Sequence, residues 1–113
     1  MGNITENFDR SEFACHCNCG FNQINIGLVH RLQAVRDIFN IPIIILSGCR
    51  CRNHNTTVGG EPDSYHMKGD AADWTTNNLS EIVEGLSHWS GGVHYYPEKN
   101  FIHCDVGLRR RWF

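Results

Sequence analysis

His66 and Asp73 frame the segment Ser64-Tyr65-His66-Met67-Lys68-Gly69-Asp70-Ala71-Ala72-Asp73, and a second histidine, His103, sits in Phe101-Ile102-His103-Cys104-Asp105. A loop histidine followed by an acidic residue on the next strand can bring two ligands to one ion. If Phe101 to Val106 is a strand, Phe101, His103 and Asp105 share one face, while Ile102, Cys104 and Val106 share the other. His103 and Asp105 then look the same way, and Cys104 faces the core. Two imidazole nitrogens and one carboxylate oxygen, with a fourth position left for water, suit a catalytic rather than a structural zinc. The spacing alone does not decide this. Neither pair forms a diagnostic helical metal motif, and an isolated H-x6-D recurs by chance in many sequences. A metal site and unrelated polar residues both stay open at this point.

Seven histidines and six cysteines are a heavy load for 113 residues. The cysteines are Cys15, Cys17, Cys19, Cys49, Cys51 and Cys104. An even number permits a disulfide framework, with about 15 full pairings open. A reducing compartment, expected where no secretion signal is seen, disfavours stable bridges. The C-x-C spacing is tighter than the C-x2-4-C usual in structural zinc sites, so the spacing argues against such a site. Free thiols, or one or two bridges between the Cys15–Cys19 and Cys49–Cys51 clusters, are the expectation. Of the remaining histidines, His16, His30, His54 and His88 read as surface or helix-face residues, with His54 near enough to a motif to make a structural hydrogen bond.

The elements that must position these groups are legible from periodicity. Leu28, Leu32, Val35 and Phe39 recur at helical spacing, with Val29 and Ile38 widening the apolar stripe. Asn25 is the expected N-cap, and Asn40 with Pro42 the stop. Ile41 to Leu46 is a β-branched run suited to a buried strand. Ser47 to Gly60 reads as a polar loop with room for one helical turn, and Asp70 to Thr75 as a short strand. Asn78-Leu79-Ser80-Glu81 resembles a capping box ahead of a second helix with Ile82, Val83, Leu86 and Trp89 inward. Val93 to Tyr96 and Phe101 to Val106 flank Pro97-Glu98-Lys99-Asn100 as an antiparallel hairpin. The order implies an α+β fold, a small, mainly antiparallel sheet flanked by helices. One domain over residues 1–113 is expected, with residues 1–20 an irregular N-terminal arm.

Composition removes several function classes. With 10 basic and 12 acidic residues and a net charge of −2, no strong field favours nucleic acid. No apolar run approaches the ~20 residues needed to span a bilayer, so membrane insertion is not expected. The start of the chain has neither a basic n-region nor an apolar h-region, so synthesis in the cytoplasm without a visible signal peptide is expected. Arg109-Arg110-Arg111 reads as a solvated tail, with Trp112 and Phe113 packing back onto the domain.

Ser64-x-His66-x2-Gly69-x-Ala71-x-Asp73, followed by Phe101-x-His103-x-Asp105, resembles the zinc D-Ala-D-Ala carboxypeptidase and endopeptidase family. These LAS-type peptidases also include the hedgehog signalling domain. Asn7-Phe8-x3-Glu12-Phe13-x-Cys15 is similar to the opening arm of small bacterial and phage members. Ser47-Gly48-x-Arg50-Cys51-x2-His54-Asn55 with Val58-Gly59-Gly60, then Gly91-Gly92-Val93-x-Tyr95-Tyr96-Pro97 and Arg111-Trp112, extend the likeness over nearly the whole chain in order.

The resemblance implies one Zn2+ per chain on His66, Asp73 and His103, with Arg50 holding a substrate carboxylate or carbonyl and Ser64 hydrogen-bonding substrate. For Arg50 a surface salt bridge is the competing reading, and for Ser64 a turn or cap. Some members carry a base in a Glu-x2-His or His-x-His arrangement ending on the last ligand. Here Asn100 and Phe101 hold those places. Asp105 is the best substitute as proton acceptor, with orientation of His103 as its alternative. His94 stands where the family often has Gly, as an accessory to an oxyanion or as a sheet-surface residue.

The implied activity is zinc-dependent hydrolysis of amide bonds in peptidoglycan stem peptides or cross-links, by a monomer acting at the bacterial cell wall. Carboxypeptidase and endopeptidase modes, and D,D and L,D bonds, both stay open. The small size and the lack of a visible signal or wall-binding domain lead to the expectation of a phage or prophage endolysin, or a virion-associated wall peptidase. The alternatives are a zinc-containing binding module of the same fold without turnover, and a thiol redox or cysteine–zinc module on Cys15 to Cys19.

Overall fold

Asn25 begins the first long element as expected, its side chain accepting a hydrogen bond from the Leu28 N–H at the start of helix α1, Ile26–Phe39. Asn40 ends it in a left-handed conformation, a state a short polar side chain tolerates. Leu28, Val29, Leu32 and Val35 are buried. Ile38 is not part of that stripe: it is 76% exposed, because the helix turns it outward while Phe39 packs against the core. The computed structural model describes residues 2–108 and 110–112, the last three as backbone alone.

Strand β1 spans Ile44–Ser47, β2 Ala71–Thr75, β3 Gly92–Tyr96, β4 Phe101–Asp105 and β5 Arg110–Trp112. Their order in the sheet is β1-β2-β4-β3-β5. All pairings are antiparallel except β3 with β5, which is parallel. The fold is α+β, as the sequence implied. The expected buried strand after α1 is instead an edge strand, and Ile44 and Leu46 face outward. Only one of its flanks has a neighbour, so its β-branched run reflects strand propensity rather than burial on both faces.

Alternation along the central strands divides the sheet into two faces. Ala72 and Trp74 of β2, Ile102 and Cys104 of β4 and Val93 of β3 are fully buried in the core, together with Leu28, Val29 and Leu32 of α1. Truncating a side chain placed like Leu32 costs about 2–5 kcal/mol through lost transfer energy and the cavity left behind. The opposite face carries Asp73, His103 and His94.

A short helix α2, Arg52–Thr57, and a 3₁₀ turn, Tyr65–Lys68, lie in the connection from β1 to β2. Helix α3, Leu79–Ile82, runs into a 3₁₀ segment, Val83–His88, and buries Leu79, Ile82, Val83, Leu86 and Trp89. The expected capping box is absent there. Asn78 is left-handed with no side-chain cap bond, and its backbone carbonyl accepts from the Glu81 N–H instead.

The N-terminal arm holds a 3₁₀ helix, Arg10–Phe13, and fixes itself by Phe8 and Phe13, both fully buried. At the other end the expected tail Arg109-Arg110-Arg111 contributes to β5 from Arg110 onward. Arg109, Phe113 and the side chains of residues 110–112, including Trp112, lie outside the described residues. Among the described residues no helix is long and apolar enough to cross a membrane.

Candidate metal centre

Register builds the site. Ser47 pairs with Asp73, Asp73 with His103, and His103 with His94. Four strands therefore place these residues in one row across the sheet. Paired positions on adjacent strands lie about 5 Å apart with side chains on a common side, which suits groups meant to share one ion. His66 enters from above on the 3₁₀ turn Tyr65–Lys68. The Ser64 Oγ caps that turn by accepting from the His66 N–H at 3.1 Å, and Gly69 closes it with a φ of 72° that favours glycine.

The sequence-expected ligands meet. Asp73 Oδ1 lies 3.1 Å from His66 Nε2 and 3.0 Å from His103 Nδ1. The donor atoms of all three residues fall within 4.8 Å of one another. The outer nitrogen of each ring is also anchored. His66 Nδ1 lies 2.6 Å from the Gly48 carbonyl, and His103 Nε2 lies 2.8 Å from Asp105 Oδ2. A carbonyl or carboxylate there accepts a hydrogen bond from the ring N–H, and in the neutral ring this leaves the inner nitrogen's lone pair for a metal. Two imidazoles and a carboxylate, so oriented, fit zinc.

The electrostatics follow from this contact set. Burial opposes the charge on Asp73, yet hydrogen bonds from His103 and His66 hold its carboxyl well below the usual range. For His103, burial disfavours the cation, but the bonds to Asp105 and Asp73 win and push it up to about 9. Burial, with the neighbouring charge of His103, lowers His94. The ionised carboxylates of Asp73 and Asp105 are thus balanced by the charges of Arg50 and His103.

Arg50 is part of it. Its Nη2 donates to Asp73 Oδ2 at 3.2 Å, Nη1 to Asn55 Oδ1 at 3.3 Å and Nε to Ser47 Oγ at 3.2 Å. It also lines a cavity of about 680 Å³ with His66, Asp73, His94 and His103. This is not the surface salt bridge weighed above: its side chain is 14% exposed and it faces the site.

Asp105 sits behind His103. It is fully buried; Oδ1 accepts from the Gly92 and Gly107 N–H groups at 2.9 Å each, and Oδ2 faces His103 Nε2. A side chain at Gly92 would collide with this carboxylate and one at Gly91 with the Asp105 backbone carbonyl, so the two glycines let the strands close around Asp105. His94 stacks on Tyr96 with ring centroids 4.0 Å apart and lines the cavity.

Asn55 was missed as a site residue. It is 2% exposed, donates to the Glu61 carbonyl and steadies Arg50. Its burial on the short polar helix α2 could not be read from periodicity. A hint lay in Gly60, where any side chain would strike both Asn55 and Arg50.

With this geometry in place, comparison with known proteins is decisive for kinship. The family model for peptidase M15 matches residues 6–105. The chain belongs to the peptidase M15 family. It is 35% identical over 99 residues to the peptidoglycan L,D-endopeptidase MepK of Escherichia coli K12, covering 79% of this chain and 54% of that protein. It is 34% identical over 91 residues to the probable peptidoglycan L,D-endopeptidase MepK of Haemophilus influenzae, covering 74% and 49%. The chain spans about half the length of these curated relatives. The M15 match runs from the arm to β4, so it takes in every residue of the row and the loop above it.

Proposed function

We propose that this M15 chain hydrolyses peptide bonds in peptidoglycan stem peptides or cross-links, with one zinc ion held by His66, Asp73 and His103. The observation that carries the reading is the convergence of His66 Nε2, Asp73 Oδ1 and His103 Nδ1 at the wall of a cavity that also presents Arg50. Zinc in such a three-ligand site polarises a scissile carbonyl and brings the pKa of water toward neutrality.

The chain's own residues do the rest. The Gly48 carbonyl and Asp105 fix the two imidazoles in the required tautomers. Asp105, with both oxygens engaged, acts by positioning His103, the second of the two parts considered for it from sequence. Ser64 acts likewise through the turn that carries His66. Arg50 offers a fixed guanidinium to a carboxylate or carbonyl of the peptide, and a planar fork suits both. His94, held toward its neutral form, faces the cavity where a developing oxyanion would need a donor. The names of the similar proteins support an L,D-endopeptidase mode acting at the cell wall.

A second reading, a zinc-holding module that binds peptide without turnover, is favoured by the engagement of both Asp105 oxygens. One experiment separates them. Purified peptidoglycan is incubated with the zinc-loaded chain, and its fragments are analysed by mass spectrometry. New peptide fragments cut at a consistent bond are expected; intact peptidoglycan under conditions where an active murein hydrolase works would overturn the enzyme reading.

A further inference from the structure

The six cysteines divide four and two. Cys49 and Cys104 are buried in the core, 1% and 0% exposed. The other four, of which Cys15 is buried, Cys51 half-buried and Cys17 and Cys19 exposed, come together where the N-terminal arm meets the start of α2. The Sγ atoms of Cys15, Cys17, Cys19 and Cys51 all lie within 4.8 Å of one another. Cys17 Sγ lies 3.4 Å from the Sγ atoms of both Cys15 and Cys51. A tetrahedral zinc with Zn–S bonds near 2.3 Å has sulfur–sulfur edges of about 3.8 Å, within the span of these four atoms. All four are free thiols.

We propose that Cys15, Cys17, Cys19 and Cys51 hold a second zinc ion, in a closed four-sulfur site that locks the N-terminal arm to the loop carrying Arg50. The C-x-C spacing that argues against zinc in the sequence is compensated by backbone shape. Asn18 and Gly20 both have positive φ, 63° and 89°, so the backbone takes left-handed turns between Cys17 and Cys19 and again just after Cys19. The Cys15 N–H closes the loop onto the Phe21 carbonyl at 2.8 Å. The left-handed turns bring three closely spaced side chains toward one point, and the fourth comes from 32 positions further along the chain. Donors already face the sulfurs, as metal-bound thiolates require: the Cys51 N–H points at Cys15 Sγ and the His54 N–H at Cys51 Sγ, both at 3.4 Å.

The chemistry suits a structural ion. Four thiols and Zn2+ give a dianionic centre and release four protons, and all four positions are filled by protein. Soft sulfur ligands in a tetrahedral set select zinc over hard cations. The location gives the ion a purpose. Cys51 follows Arg50, and the same loop supplies the Gly48 carbonyl to His66. Its contact with the arm is close: the Cys49 N–H donates to the Phe13 carbonyl at 2.7 Å, and a side chain at Gly48 would collide with Phe13. The site stands independently of the peptidase reading.

Metal content of the purified full chain tests it. Two zinc ions per chain are expected. The Cys17→Ser/Cys19→Ser double variant should keep one and His66→Ala the other. Cobalt(II) loading of the unmodified chain decides the matter even if a variant fails to fold. One cobalt equivalent should give intense thiolate-to-metal charge-transfer absorption, abolished by prior thiol alkylation. No sulfur-derived absorption on cobalt loading, or an intact mass showing these four cysteines paired as disulfides, would overturn the proposal.

Discussion

Two clusters of side chains that could hold a metal ion lie on either side of one loop, and they are built differently. His66, Asp73 and His103 offer three nitrogen and oxygen donors, two of them set by strand register, at the wall of a cavity. Cys15, Cys17, Cys19 and Cys51 offer four sulfurs, all from irregular backbone around the end of the arm and the start of α2. An incomplete protein shell beside open space suits chemistry, and a complete one suits architecture. The support differs accordingly. The histidine site has a buried carboxylate and a carbonyl fixing its rings, whereas the cysteine site is held by the turns that form it. Arg50 joins the two regions, reaching Asp73 on one side while preceding Cys51 on the other.

The contrast breaks first at Asp73. Asp73→Ala removes the atom that both histidines face, so turnover of peptidoglycan should fall below detection while one zinc per chain persists in the cysteine site. Loss of both ions, measured by elemental analysis, would show that the two sites are not separable.

Asp105→Asn sharpens the claim that the cavity site depends on an orienting carboxylate. Losing such a partner typically costs about 10–100-fold in metal affinity or activity. Chelator competition should therefore show weaker zinc binding alongside lower turnover. An unchanged zinc affinity with a loss of about 10²–10⁴ in rate would return Asp105 to the role of proton acceptor.

Cys17→Ser bears on the other half of the comparison. It should lower the thermal midpoint by at least about 4 °C, the shift that roughly 1 kcal/mol produces in a domain of this size, with zinc still bound at His66. An unshifted melting curve would deny the cysteine site an architectural part.

His16→Ala should do least. The His16 ring lies 6.0 Å from that of His54 beside the cysteines but is not among the four ligands proposed. Stability should stay within about 0.5 kcal/mol of the parent and the zinc content at two. Loss of the second ion would make His16 a ligand.

How far the sequence foretold these regions follows from how each is built. Much of the cavity row was legible because Asp73, His103 and Asp105 sit on strands: the alternation of Phe101 to Val106 placed His103 with Asp105, and the hairpin followed its period. For Asp105 the sequence left proton acceptance and orientation of His103 side by side, because the bonds that bear on the choice come from N–H groups of Gly92 and Gly107 that only tertiary folding brings to Oδ1. The cysteine cluster was hidden for a stronger reason. Its ligands converge through left-handed residues and a long-range contact of the arm, neither of which leaves a period in the sequence. Strand β5, parallel to β3, escaped notice because Arg109-Arg110-Arg111 shows no apolar–polar alternation to mark a strand. The outward faces of Ile38, Ile44 and Leu46 show the limit of reading apolar residues as buried ones.

The most direct test of an open catalytic ion is anomalous diffraction at the zinc absorption edge from crystals of the zinc-loaded chain. The account predicts a peak about 2.0–2.2 Å from His66 Nε2, Asp73 Oδ1 and His103 Nδ1, with no fourth side chain in the shell and the open position facing the cavity of Arg50 and His94. A peak whose shell is completed by another protein side chain, or no peak among these three residues, would contradict it.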